Sequence, residues 1–281
     1  IKNKYHIVMA GDHGIAEEGV SAFPSEITTQ MVYNFLQEGA AINVLAQQAG
    51  AKLKIVDTGI INKINREIFK KYPKAEEMFI DRKIKPGTDN MVKGPAMSRE
   101  EAVKSIEIGI EVVEEVIAKG ADLIGVGEMG IGNTTPSTAI TASILDLPVK
   151  DLVGYGTGID EEKKKHKQKI IEKALKINKP NSEDGIDILA KVGGFEIGGM
   201  AGVMLGAAAS NIPVIVDGLI ATAAALIATK IKPEVTDYFI PSHKSVEPAH
   251  EKIYKYLNLK PMLYMNMRLG EGTGAVLAMN L

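Results

Sequence analysis

Apolar residues along this chain follow two alternating rhythms. Short apolar runs at Tyr5 to Ala10, Leu53 to Thr58, Leu123 to Val126, Pro213 to Asp217, Tyr238 to Ile240 and Met262 to Tyr264 have the length and density of buried strands. Between them lie longer segments with helical spacing. Ile27 to Ala49 carries Met31, Phe35, Ile42, Leu45, Ala46 and Ala49 at such intervals and stops at Gly50, where a helix C-cap is expected. Ser98 with Glu101 is a capping-box signature, which predicts a helix from Ser98 to Lys119 ending at Gly120. Asn133 before Thr134, Thr135 and Pro136 predicts another helix start, because proline fits the first turn, where its missing N–H costs nothing.

Strands alternating with helices are the pattern of βαβ units. The predicted fold class is therefore α/β: a mostly parallel open sheet with helices on both faces, Rossmann-like. Ile197 to Val216 carries no charge and is as long as a membrane span, but Ser210, Asn211 and Pro213 interrupt it. A buried helix followed by a buried strand is expected there, and no membrane association. With no linker, repeat or low-complexity tract, residues 1–281 read as one continuous domain.

Composition narrows the function. The 33 Lys+Arg and 35 Asp+Glu leave a formal charge of −2, without the basic excess of a nucleic-acid protein. A hydrophobic share of 45% beside 24% charged residues is that of an ordinary globular protein. The absence of cysteine removes disulfides, thiolate metal sites, iron–sulfur clusters and cysteine nucleophiles, and fits a reducing compartment, the cytoplasm. The five histidines have no metal-binding spacing. No leader of basic then apolar residues opens the chain. Since Ile1 is not an initiator methionine and an apolar strand follows almost at once, upstream residues are expected to be missing.

Glycine is 28 of 281 residues, above the usual share of about 7%, and clusters at strand ends: Gly11 to Gly14, Gly125 to Thr134, Gly154 to Gly158, Gly193-Gly194, Asp217-Gly218 and Gly270 to Gly274. In open α/β sheets ligands bind where such loops converge. Gly125, Gly127 and Gly130 satisfy G-x-G-x-x-G, yet Glu128 within it would oppose a pyrophosphate, and no acidic residue ends a second strand about 20 residues on. A single phosphate on Gly130, Gly132, Asn133 and Thr134 at a helix N-terminus suits these residues better; a tight turn with no ligand is the alternative. Glu271, between two glycines, is either a solvated loop carboxylate or a general base tuned by an apolar cavity. Glu128 carries the same argument, and spacing does not say which is the base. Asp12-His13 reads as turn capping, with His13 at most a site-wall residue. Glu161 to Lys169 reads first as a solvated helix face, from which one lysine could reach a phosphate.

The segments GDHGIAEEGVSAFP at Gly11, GAAINVLAQQAGA at Gly39, GEMGIGNTTPSTA at Gly127, GTGID at Gly156, GGFEIGGMAGVMLGAA at Gly193, IPVIVDGLIATAAAL at Ile212, SHKSVEPAH at Ser242 and RLGEGTGAVLA at Arg268 together resemble the nicotinate-nucleotide:dimethylbenzimidazole phosphoribosyltransferase family of cobamide biosynthesis. The likeness is colinear from Tyr5 to Leu281. It implies that a lower-ligand base displaces nicotinate from nicotinate mononucleotide with inversion at the anomeric carbon, in a homodimer that uses no metal or redox cofactor. Glu271 is then the general base and Glu128 orients the incoming base. The nucleotide and its phosphate are expected at Gly130, Gly132, Asn133, Thr134, Gly156, Thr157, Gly158, Lys167, Asp217, Gly218 and Ser245. The base pocket is expected at Phe23, Met31, Met129 and Leu269. Some members carry polar residues in place of Phe23 and Met31, which leaves benzimidazoles, phenols and purines open as acceptors. Members also begin earlier, so a small helical subdomain built from the chain termini is expected to lack its N-terminal part. The alternatives are a different acceptor on the same fold, or a nucleotide-binding protein with an incomplete site.

Overall fold

A computed structural model describes residues 1–281. Six strands, β1 (Lys4–Gly11), β2 (Ala51–Gly59), β3 (Phe79–Asp81), β4 (Leu123–Met129), β5 (Val214–Val216) and β6 (Phe239–Pro241), form one sheet in the order β3-β2-β1-β4-β5-β6. Every pair is parallel. This is the doubly wound order, in which the direction of winding reverses between β1 and β4. The carboxyl ends of those strands flank the crevice where such sheets bind ligands.

Side chains alternate across a strand, and β1 shows it directly. Tyr5, Ile7 and Met9 enter a core of 55 buried residues beneath the helices Arg99–Ala118, Thr134–Leu145, Phe195–Ala209 and Leu219–Ile231. Val8 and Ala10 enter a second core of 20, beneath the helices Glu26–Leu36, Ala41–Ala49 and Thr273–Ala278. Strands buried on both faces must be apolar throughout, which is why they stood out in the chain. The capping box at Ser98 is present in both directions: Ser98 Oγ accepts from Glu101 N–H at 3.1 Å, and Glu101 Oε2 accepts from Ser98 N–H at 2.9 Å. The charge-free stretch is the helix Phe195–Ala209 followed by β5. No helix is long and apolar enough to cross a membrane.

Three expectations need correction. Ile27 to Ala49 is two helices, because Glu38 turns left-handed with φ 60° and Asn43 Oδ1 accepts from Ala40 N–H at 3.1 Å, opening a new helix. Periodicity runs across the break since both helices lay their apolar faces on the same core. Met262 to Tyr264 becomes β8 (Leu263–Met267), which leaves the main sheet and pairs in parallel with the short β7 (His243–Ser245). Gly125 and Gly127 lie inside β4 rather than in a loop. Side chains there would collide with His6 and with the Glu271–Gly272 backbone, so these glycines let the C-terminal segment rest on the strand. That removes the dinucleotide reading of G-x-G-x-x-G.

Candidate active site

A cavity of about 410 Å³ opens at the carboxyl ends of β4 and β5, closed by β7 and the loop after β8. Wider grooves near β2 and β3 are lined largely by lysine and acidic side chains and lack this convergence of strand ends. Of the residues expected in a site, Glu128, Glu271, Gly130, Asn133, Thr134, Gly156, Thr157, Asp217, Gly218, Ser245, Phe23, Met31, Met129 and Leu269 all line this one cavity. Gly132 and Gly158 do not: Gly132 (φ +90°) faces Ala16 and Val20, and Gly158 (φ +101°) faces open space. Lys167 stands one layer behind the wall. It is 0% exposed and donates from Nζ to Thr134 Oγ1 at 2.6 Å. The highly charged helix Glu161–Asn178 keeps its face from Glu161 to Lys169 in solvent apart from Lys167, the one lysine it turns inward.

The two loop glutamates meet. Gly270, Glu271 and Gly272 all adopt left-handed backbone (φ 80°, 61° and 79°). For glutamate this costs roughly 1–2 kcal/mol, and strain of this kind clusters at functional sites. His6 Nε2, beneath the loop on β1, donates to the Glu271 carbonyl at 3.0 Å, which sets the tautomer. Burial holds this imidazole down at about 4 against that hydrogen bond, so it stays neutral. The Glu271 carboxylate accepts from Ile42 N–H at 3.2 Å, in the first turn of the helix Ala41–Ala49, an environment that favours the anion. The Glu128 carboxylate lies against Gly270 and accepts a hydrogen bond from Asn133 Nδ2.

Electrostatics separates them. Burial, followed by the nearby charges of Glu196, Asp217 and Glu271, pushes Glu128 up to about 8, the Asn133 hydrogen bond opposing. Near neutral pH Glu128 is therefore mostly protonated. Burial also raises Glu271, opposed by the Ile42 N–H. Asp217, raised by burial, accepts from Ala275 N–H at 3.0 Å and faces His243 at 3.6 Å. At the other end of the cavity, burial holds the Lys167 ammonium down at about 8, partly offset by the charge of Glu247.

His13, at most a wall residue by its sequence, does not line the cavity. It lies beside Gly130 at 2.8 Å from Glu196, and although burial disfavours its charge, Glu196 and Asp12 more than compensate and raise it. Sequence reasoning also missed His243, Glu247 and Arg268, all of which line the cavity. For His243 the signal was present: it is spaced by two from Ser245 on β7, the period that puts strand residues on one face, so Ser245 implied it.

A family model described as Phosphoribosyltransferase matches residues 1–281. The chain belongs to that family. Relatives named nicotinate-nucleotide-dimethylbenzimidazole phosphoribosyltransferase include that of Desulforamulus reducens, 52% identical over 277 residues, which are 99% of this chain and 76% of the relative. That of Dehalococcoides mccartyi (strain CBDB1) is 51% identical over 275 residues, 98% of this chain and 76% of the relative. Among solved structures, CobT from Thermus thermophilus superposes with a TM-score of 0.93 at 41% identity, covering 99% of this chain and 80% of that one.

Proposed function

We propose that this phosphoribosyltransferase moves the phosphoribosyl group of nicotinate mononucleotide onto a dimethylbenzimidazole-like base, releasing nicotinate and an α-ribosyl base phosphate for cobalamin synthesis. The observation that carries this is a single cavity with two differently tuned carboxylates at one end and the Lys167–Thr134–Gly156 donors at the other.

One azole nitrogen attacks the anomeric carbon from the face opposite the nicotinate. The bond to the pyridinium nitrogen breaks, and its electron pair stays on that nitrogen. The leaving group is then an uncharged ring and needs no acid. The other azole nitrogen loses its proton to Glu271, a base whose affinity for that proton is raised by burial and moderated by the Ile42 N–H. Glu128, protonated at neutral pH, is a hydrogen-bond donor that orients the base; environments that drive two carboxyl groups apart in pKa assign them such different roles. Phe23, Met31, Met129 and Leu269 present an apolar, sulfur-containing surface that accommodates a flat aromatic acceptor. Lys167, with Thr134, Gly156 and Ser245, anchors the phosphate. In this reading residues 1–281 form one α/β catalytic domain that works in the cytoplasm as a homodimer.

The test is nicotinate release from nicotinate mononucleotide with dimethylbenzimidazole, adenine or a cresol as acceptor. Release that depends on dimethylbenzimidazole is expected. Dependence on the cresol or adenine alone would change the acceptor class, and a folded chain that releases nothing with any acceptor would remove the transferase reading.

A further inference from the structure

The phosphate end of the cavity holds a carboxylate for which the transfer has no use. Glu247 is 6% exposed and directly precedes the helix Pro248–Tyr256. Its Oε1 accepts from Gly156 N–H at 2.9 Å. Gly156 is also where the other donors converge, since a Cβ there would stand 3.0 Å from Thr134 Oγ1 and 3.5 Å from Lys167 Nζ. The second oxygen, Oε2, is buried without a hydrogen-bond partner. It lies against Gly154, whose missing side chain makes the space it occupies.

A carboxyl group thus already rests on one of the donors that a phosphate requires, beside the other two. A backbone N–H, a hydroxyl and an ammonium group make an anion site. A carboxylate has the right charge for it, yet here only one of its oxygens finds a donor. A phosphate has three acceptor oxygens to offer the same groups, and its negative charge is repelled by a carboxylate held so close.

We propose that Glu247 is an internal surrogate for the phosphate of the substrate. It holds the Gly154–Gly158 loop beside Lys167 in the unliganded protein, leaves Gly156 when phosphate arrives, and so sets the affinity for the phosphorylated substrate. This rests on the assignment of the phosphate to the Lys167–Thr134 end of the cavity. A merely structural glutamate would lower affinity when lost, whereas a surrogate raises it.

The experiment is calorimetric titration of the full chain with inorganic phosphate and with nicotinate mononucleotide, for wild type, Glu247→Gln, Gly154→Ala and Lys167→Met. Glu247→Gln is expected to bind inorganic phosphate about three- to tenfold more tightly, the scale of removing one partly screened like charge. Gly154→Ala, whose Cβ takes the place of the carboxylate, moves affinity the same way and keeps the test open should the first variant not fold. Phosphate binding by Glu247→Gln that is unchanged or weaker overturns the proposal, the weaker result making Glu247 a direct contact of the nucleotide. If Lys167→Met binds phosphate as well as wild type, the phosphate lies elsewhere, and the subsite assignment falls together with the surrogate.

Discussion

Glu271 and Glu128 face one cavity from surroundings that differ in what they offer an anion. Glu271 has a helix N–H; Glu128 has one side-chain amide amid three other carboxylates. Glu271→Gln is expected to lower kcat by roughly 10²–10⁴, the span for removing a general base, with nicotinate mononucleotide affinity by titration nearly unchanged. Because burial raises Glu271, the acid limb of wild-type kcat/KM should lie above the ordinary glutamate range. Glu128 gives a stability prediction with a definite sign. Its folded pKa of about 8 lies above the ordinary 4.5, so between those values the folded protein binds more protons than the unfolded chain, and its contribution to stability falls as pH rises through this window. Each pKa unit is worth about 1.4 kcal/mol. Glu128→Gln removes the loss, so its melting temperature relative to wild type should climb from pH 5 to pH 8; a difference that stays flat would mean that Glu128 is not held protonated.

At the scale of elements, close approach decides the architecture. The helices Arg99–Ala118 and Phe195–Ala209 touch backbone to backbone at Gly109, Gly199 and Gly202, where a Cβ at Gly202 would overlap the Ile106 carbonyl. Gly202→Ala improves helix propensity by about 0.5–1 kcal/mol, but forcing the helices apart costs typically about 1–3 kcal/mol. A net loss is expected, read as a lower urea midpoint; a stabilised variant would show that the packing yields. The contact gives the Gly- and Ala-rich composition of this helix its physical reason, since only residues without bulky side chains let two helix backbones meet.

For the molecule as a whole, the cavity lies at the ends of β4 and β5, one strand along from the point where the sheet reverses its winding, and its wall comes from residues as distant in sequence as Phe23 and Glu271. Ligand that binds only this assembled site must stabilise the fold. Nicotinate mononucleotide at roughly 100 times its Kd adds about 2.7 kcal/mol, roughly 5–10 °C in Tm for a chain of this size. Lys167→Met should lose most of that shift. The unliganded variant should melt close to wild type, since the buried ammonium is costly to desolvate and the Thr134 hydrogen bond and the charge of Glu247 offset that cost only in part. Thermal melts with and without the nucleotide check both statements, and a full ligand shift in Lys167→Met would take the phosphate away from this lysine.

The order of apolar runs along the chain was enough to determine a parallel α/β sheet, because strands buried on two faces have no polar side to show. The capping box at Ser98 and the glycine-flanked glutamate were equally local, and so legible. Four things depended on tertiary structure: the inward turn of Lys167 out of a charged helix, the pairing of His13 with Glu196, the place of Glu247 on Gly156, and the different surroundings of the Glu271 and Glu128 carboxyl groups. Each is set by what folding brings alongside rather than by what lies next along the chain. Burial and the proximity of charges, which govern pKa and hydrogen-bond partner alike, have no counterpart in residue spacing.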